Sequence, residues 1–188
     1  MPDSRLIPDY AFGATAITAE ALFEGIAGEL SQTGTPALRN HDRLTTALRT
    51  GLRRLAEDRA LELATGPYGE FLVDHVWRKG RSGIFLVAES EWRRDDYHIR
   101  QDFEKLLVFK APTKLFVYQS NPERRACDAL RIATECLALY EQHSANEEYV
   151  LIEVTPRHAR GFLCKVSTDG RMETPMFTEI RGSPRSWS

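Results

Sequence analysis

Apolar residues fall first into helical and then into strand-like periods along the chain. Ile17, Leu22, Phe23, Ile26 and Leu30 recur at the spacing of one helix face, with Thr18 as an N-cap and Gly34 and Pro36 closing the run. A second helix is expected from about Asp42 to Ala64, where Leu44, Leu48, Leu52, Leu55 and Leu63 form a stripe that Gly66 and Pro67 stop. The period then changes. EFLVDHVW and GIFLVAESEW are rich in β-branched and aromatic residues, and Arg78 to Ser82 breaks them into a hairpin. Asp96 to Phe109 reads as a helix, TKLFVYQS as a buried strand, and PERRACDALRIATECLALYEQH as a helix with Pro122 in its first turn. EEYVLIEV and GFLCKVS supply the last strands, before a polar tail over 181–188.

The hairpin carries acids where apolar residues are expected. Both of its faces are hydrophobic, so it should be central and covered on both sides. Asp74, Glu89 and Glu91 therefore need partners, because an ionised carboxylate is costly to desolvate alone. If Gly80 and Arg81 form a two-residue loop, Asp74 faces Val87 and Glu89 lies diagonal to it on the same face. In that register Leu72, Val76, Phe85 and Val87 share the acidic face, while Phe71, Val73, Trp77, Ile84 and Leu86 take the other. His75 falls opposite Asp74 and reads as a packed core histidine. Trp92 is expected under the following helix, on which Lys105 follows Asp102 by three residues.

With 188 residues, 42% hydrophobic and 28% charged, the chain suits one domain over 1–188, with a core over 42–155 and tails at 1–14 and 181–188. Three cysteines, odd in number and without a CxxC pair, argue for buried reduced thiols. No apolar run is long enough to cross a bilayer, and the start lacks the pattern of a signal peptide, so a cytoplasmic location and no membrane partner are expected. A net charge of -2 excludes a uniformly basic coat. Residues 78–125 are nevertheless locally basic, with Arg78, Arg93, Arg94, Arg100, Lys105, Lys110 and Lys114 among them, and such a surface beside acids suits a phosphate backbone. There is no P-loop, GxGxxG or GxSxG pattern.

The order helix, hairpin bearing acids, helix, strand resembles the PD-(D/E)XK nuclease superfamily over about residues 42 to 118. The resemblance implies an α/β, restriction-endonuclease-like central mixed sheet flanked by helices. Asp74 matches the family's first acid and Glu89 its second, within Glu89-Ser90-Glu91. Glu91 stands where the family usually has lysine, and Lys105 in DFEKLL resembles the variant in which that lysine has moved to the next helix. Glu57 or Glu62 would correspond to the extra helical acid of some branches.

These matches imply a Mg²⁺-dependent nuclease acting on DNA, with Mn²⁺ as a substitute, in which Asp74, Glu89 and Glu91 are metal ligands and Lys105 assists catalysis. Hard oxygen donors without a thiolate or imidazole cluster suit magnesium. A homodimer would suit double-strand cleavage. The alternative is a catalytically inactive nuclease-fold module that binds nucleic acid or a protein partner.

Overall fold

A computed structural model describes residues 17–33, 40–65, 73–80, 83–120, 128–172, 174–183 and 185–186. Four helices, α1 (Ala19–Gln32), α2 (His41–Glu57), α3 (Asp96–Val108) and α4 (Ala129–Leu139), surround a mixed sheet. Its strands are β1 (Glu62–Thr65), β2 (His75–Arg78), β3 (Ile84–Glu91), β4 (Thr113–Gln119), β5 (Glu148–Val154), β6 (His158–Lys165), β7 (Thr178–Glu179) and β8 (Arg185–Ser186). Strands β1 to β7 lie in chain order, and β8 pairs with β6. The β1–β2–β3 meander is antiparallel, β3, β4 and β5 are parallel, and β6 and β7 return antiparallel.

Parallel strands must be covered on both faces, and two separate cores do this. Leu22, Phe23 and Ile26 of α1 and Leu44, Leu48 and Leu52 of α2 pack on Trp77, Leu86, Leu115 and Val150. On the other face, Ile99, Phe103 and Leu106 of α3 and Ile132 and Ala133 of α4 pack on Val76, Val87, Phe116 and Leu151. The two first helices meet closely because a Cβ on Gly25 would stand 2.8 Å from Leu55 Cδ1. The general α/β class and the mixed sheet thus match the sequence expectation.

Helix α1 begins at its expected cap: Thr18 accepts a hydrogen bond from the Ala21 N–H. The second helix stops earlier than its leucine stripe suggests, and Leu63 belongs to a strand. Ala60 adopts φ 52, with its N–H bonded to Glu57 O at 3.0 Å and Leu61 N–H to Ala56 O at 2.9 Å. This is a Schellman ending closed by alanine where glycine is usual, and it frees the chain to form β1. Helix α4 starts at Ala129, because the Asp128 N-cap leaves helical geometry and its carboxylate accepts from the Arg131 N–H at 3.0 Å. Pro122 lies outside the described residues, as do 1–14. Part of the expected tail at 181–188 pairs instead with β6, through Arg185–Ser186.

The hairpin register also differs. Val76 faces Val87 and His75 faces Ala88, two positions from the two-residue-loop expectation. Lys79 N–H reaches Gly83 O at 3.4 Å, so the connection is longer than two residues. Phe85 is then an extra residue, because Trp77 opposes Leu86 while Arg78 opposes Ile84. Two single-residue shifts add up to an even number, which preserves the facing of everything beyond the bulge. Val76 and Val87 accordingly stay on the α3 side, while Phe85 and Ile84 exchange faces and Val73 joins the α3 side. Phe71 and Leu72 lie outside the described residues.

At the sheet end remote from the acids, Lys114 is fully buried and donates to Glu147 Oε2 at 3.1 Å and to the Tyr149 hydroxyl at 3.0 Å. Breaking a buried pair on one side leaves an uncompensated charge. Lys114→Ala should therefore cost about 3–5 kcal/mol, whereas Lys114→Met combined with Glu147→Met should recover most of it, as urea unfolding of the single and double variants would show.

Candidate active site at the end of β3

The acids gather where β3 leaves the sheet. Glu89 is level with Phe116 and Glu91 with Tyr118, both of which belong to the α3/α4 core, so the two glutamates face α3. Continuing the β2–β3 ladder by one step brings Asp74 opposite Glu89 rather than Val87. Asp74 Oδ2 accepts from the Ser90 N–H at 3.0 Å and the Ser90 hydroxyl at 2.8 Å, which extends the pairing past the last ladder residue.

Helix α3 contributes the cation. Its cap, Asp95, accepts from the His98 N–H at 3.1 Å, and its buried stripe of Ile99, Phe103 and Leu106 fixes the rotation. One flank therefore turns Asp102 and Lys105 toward the glutamates. Lys105 Nζ stands 2.6 Å from Asp102 Oδ1 and 3.5 Å from Glu89 Oε2. Burial opposes the charge of Lys105, but Asp102, Glu89 and Asp74 outweigh it and hold its pKa above the ordinary lysine value.

Glu89 is the focus of strain. Only 1% of it is exposed, and its Oε1 has no hydrogen-bond partner among the described residues. Burial pushes its carboxyl up to about 9, with Asp74 adding to the rise and Lys105 opposing it. Glu91 is also raised, first by burial, while the Arg93 N–H at 2.6 Å from its Oε1 lowers it and a hydrogen bond with Asp102 favours its protonated form. Asp102 is thus a fourth acid of the cluster, bridging Glu91 and Lys105. The sequence displayed it only as a helical neighbour of Lys105.

All four expected site residues, Asp74, Glu89, Glu91 and Lys105, therefore share one region. Among the described residues, no group of three or more His, Cys, Asp and Glu side chains stands close enough to hold a metal ion. Glu57 and Glu62 do not join the site: Glu57 ends α2, and Glu62 pairs with Arg78 at the far end of β2. His75 is buried on the opposite face, beside Ala88, with neither ring nitrogen bonded among the described residues. Burial, aided by Arg49 and opposed by Asp74, brings its pKa down to about 4. Trp92 packs with the α1/α2 core and donates to Thr45 Oγ1 at 2.9 Å, so it lies under α2 and not under the helix that follows it.

The basic run is less free than its composition suggests. Lys114 is buried, Arg100 pairs with Glu135 at 2.6 Å and Lys105 with Asp102, while Arg93 and Arg94 remain exposed beside the acids. Arg124 and Arg125 lie outside the described residues. The buried Cys136 and Cys164 are free thiols.

Comparison with protein-family models, curated proteins and solved structures gives no significant match. Among the described residues, no helix is long and apolar enough to cross a membrane.

Glu89 also sets a pH signature. It stays protonated in the fold until about pH 9 but ionises near 4.5 in the unfolded chain, so the native state holds the extra proton between these values. Its contribution to stability is complete below about pH 4.5 and is lost as pH rises through about 9. Glu89→Gln keeps the neutral form at every pH. The variant should melt with the wild type at pH 4.5 and several degrees above it at pH 9, by calorimetry. His75 has the opposite sign, but it is common to both proteins and cancels in the difference.

Proposed function

We propose that this chain is a metal-dependent nuclease that hydrolyses phosphodiester bonds in DNA. One observation carries the reading: a glutamate buried at the end of a central strand, with an unpartnered oxygen, beside a second acid and an anchored lysine. A buried carboxyl group whose nearest cation among the described residues stands 3.5 Å away would be stabilised in its ionised form by a further positive charge. The element order α2, β1, β2, β3, α3, β4 is in keeping with the PD-(D/E)XK resemblance and its restriction-endonuclease-like fold.

The donor chemistry, though not the present spacing, suits a hard divalent cation: Asp74, Glu89 and Glu91 offer carboxylate oxygens. No three such groups among the described residues stand close enough to share one ion, so the carboxylates would have to draw together on binding. When bound, Mg²⁺ or Mn²⁺ would polarise the scissile phosphate and lower the pKa of its water. The residues of the chain do the rest. Asp102 holds the Lys105 ammonium at 2.6 Å independently of Glu89, so the cation stays at the site to stabilise negative charge developing on the phosphate. Ser90 fixes Asp74 through two hydrogen bonds, which presents that carboxylate in one orientation.

A second reading is a nuclease-fold module that binds nucleic acid or a protein without cutting. Its support is Glu91, which occupies the usual lysine position and whose Oε1 is engaged by the Arg93 N–H. Cleavage assays with labelled single- and double-stranded DNA and RNA separate the two. With Mg²⁺ or Mn²⁺ the nuclease should cut, EDTA should stop it, and Asp74→Asn, Glu89→Gln and Lys105→Ala should each lower the rate by about 10²–10³-fold. No cutting on any substrate, with no Mn²⁺ binding by calorimetry, would overturn the nuclease in favour of the binding module.

A further inference from the structure

The chain leaves the acid cluster through a short turn whose side chains point outward. Glu91 Oε1 holds the Arg93 N–H at 2.6 Å, which ties the turn to the site. The Arg93 side chain is 62% exposed and stands 4.0 Å from Glu91 Oε1, a loose contact, and Arg94 is exposed with no ion pair among the described residues. Other exposed guanidiniums are tied closely to acids, Arg54 to Glu29 at 2.9 Å and Arg131 to Asp96 at 3.0 Å. Such close pairs leave little charge for a ligand, whereas the loose Arg93 contact and the exposed Arg94 keep charge available at the turn.

Tyr97 follows in the first turn of α3 and is 65% exposed. It is the aromatic member of the exposed large apolar residues; Val108 and Leu139 stand at the opposite ends of α3 and α4. The ring is also held in place. Gln101 Nε2 donates to its hydroxyl at 2.8 Å, and His98 meets it edge-on, with centroids 5.2 Å apart and planes at 83°. His98 is itself fixed by Asp95, whose carboxylate oxygens lie 2.7 and 2.8 Å from Nδ1. An aromatic ring oriented in advance loses little entropy when a planar group stacks on it.

We propose that Arg93, Arg94 and Tyr97 form a recognition surface for an unpaired nucleotide, so that the preferred ligand is single-stranded nucleic acid. This rests on the nucleic-acid reading above and adds the strandedness of the substrate. An unpaired base stacks on the open ring of Tyr97, and the neighbouring phosphates meet the two guanidiniums. A continuous duplex keeps its base faces inside its own stack and offers none to Tyr97. Eight residues of helix, about 12 Å, separate Tyr97 from Lys105, a span that an extended strand covers in a few nucleotides. The stacked base thereby feeds the flanking phosphates toward the acids.

Binding in EDTA tests this without requiring cleavage. Fluorescence anisotropy would compare fluorescein-labelled single-stranded DNA, single-stranded RNA and duplex DNA of equal length. Single strands should bind more tightly than duplex. Tyr97→Ala should weaken single-strand binding about 5- to 150-fold and leave duplex binding unchanged, Tyr97→Phe should retain it, and Arg94→Gln should reduce the salt slope by about 0.7. Preference for duplex, an unchanged affinity in Tyr97→Ala, or no binding to any oligonucleotide would overturn the proposal. The two readings fail separately: Tyr97-dependent binding without metal-dependent cutting removes the nuclease alone, and cutting with Tyr97-independent binding removes the stacking surface alone.

Discussion

Coverage of the parallel strands on both faces is the constraint from which the remaining features follow. The middle of β3, β4 and β5 has no access to water, so charge survives there only at the strand ends and only with partners. Glu153 of β5 is held by Arg160 at 2.6 Å and by the Ser120 hydroxyl at 2.7 Å. Glu148 pairs with Lys165, and Lys114 of β4 meets Glu147 and Tyr149. Glu89 is held least well: among the described residues its nearest cation is 3.5 Å away and its second oxygen is unpartnered, whereas Glu147, which also has one oxygen without a partner, meets its lysine at 3.1 Å.

The two ends of the sheet therefore differ in kind. At the Lys114 end, the ammonium has a carboxylate, a hydroxyl and the Leu107 carbonyl within reach, and His143 adds a contact to the same tyrosine hydroxyl. Such a network is suited to holding β4 and β5 against the ends of α3 and α4. At the Glu89 end, four acids share Lys105, the more distant Arg93 guanidinium, the Ser90 hydroxyl and two backbone donors. That arrangement lowers stability at neutral pH, and local destabilisation of this type is usual where a site awaits a charged ligand.

Much of this was legible in the pattern of residues, and the exceptions have identifiable physical causes. Helix α3 starts at the expected Asp96 because Asp95 caps it, and Ile99, Phe103 and Leu106 give it one buried face that carries it to within one residue of its expected end. The end of α2 was hidden because Ala60 takes the left-handed conformation that glycine would have advertised. The register of β2 on β3 was hidden because neither the longer connection nor the extra residue at Phe85 has a compositional mark. The facing of Glu89 nevertheless came through, since the two shifts preserve parity. Asp102 could not be recognised as part of the cluster until α3 was docked, because its contact with Glu91 joins two elements.

The role of Glu91 becomes intelligible once Asp102 is in place. One carboxylate on α3 stands between the strand position and Lys105, and it holds the lysine at 2.6 Å. A lysine at position 91 would bring a second ammonium to the same carboxylate, and the two like charges would compete for it. With glutamate at 91, the strand residue instead shares a hydrogen bond with Asp102 and takes the Arg93 N–H, while the cation comes from the helix alone. Acid on the strand and lysine on the helix are therefore two halves of one electrostatic arrangement, in which the positive charge on α3 is accompanied by a group at 91 that does not contest its anchor.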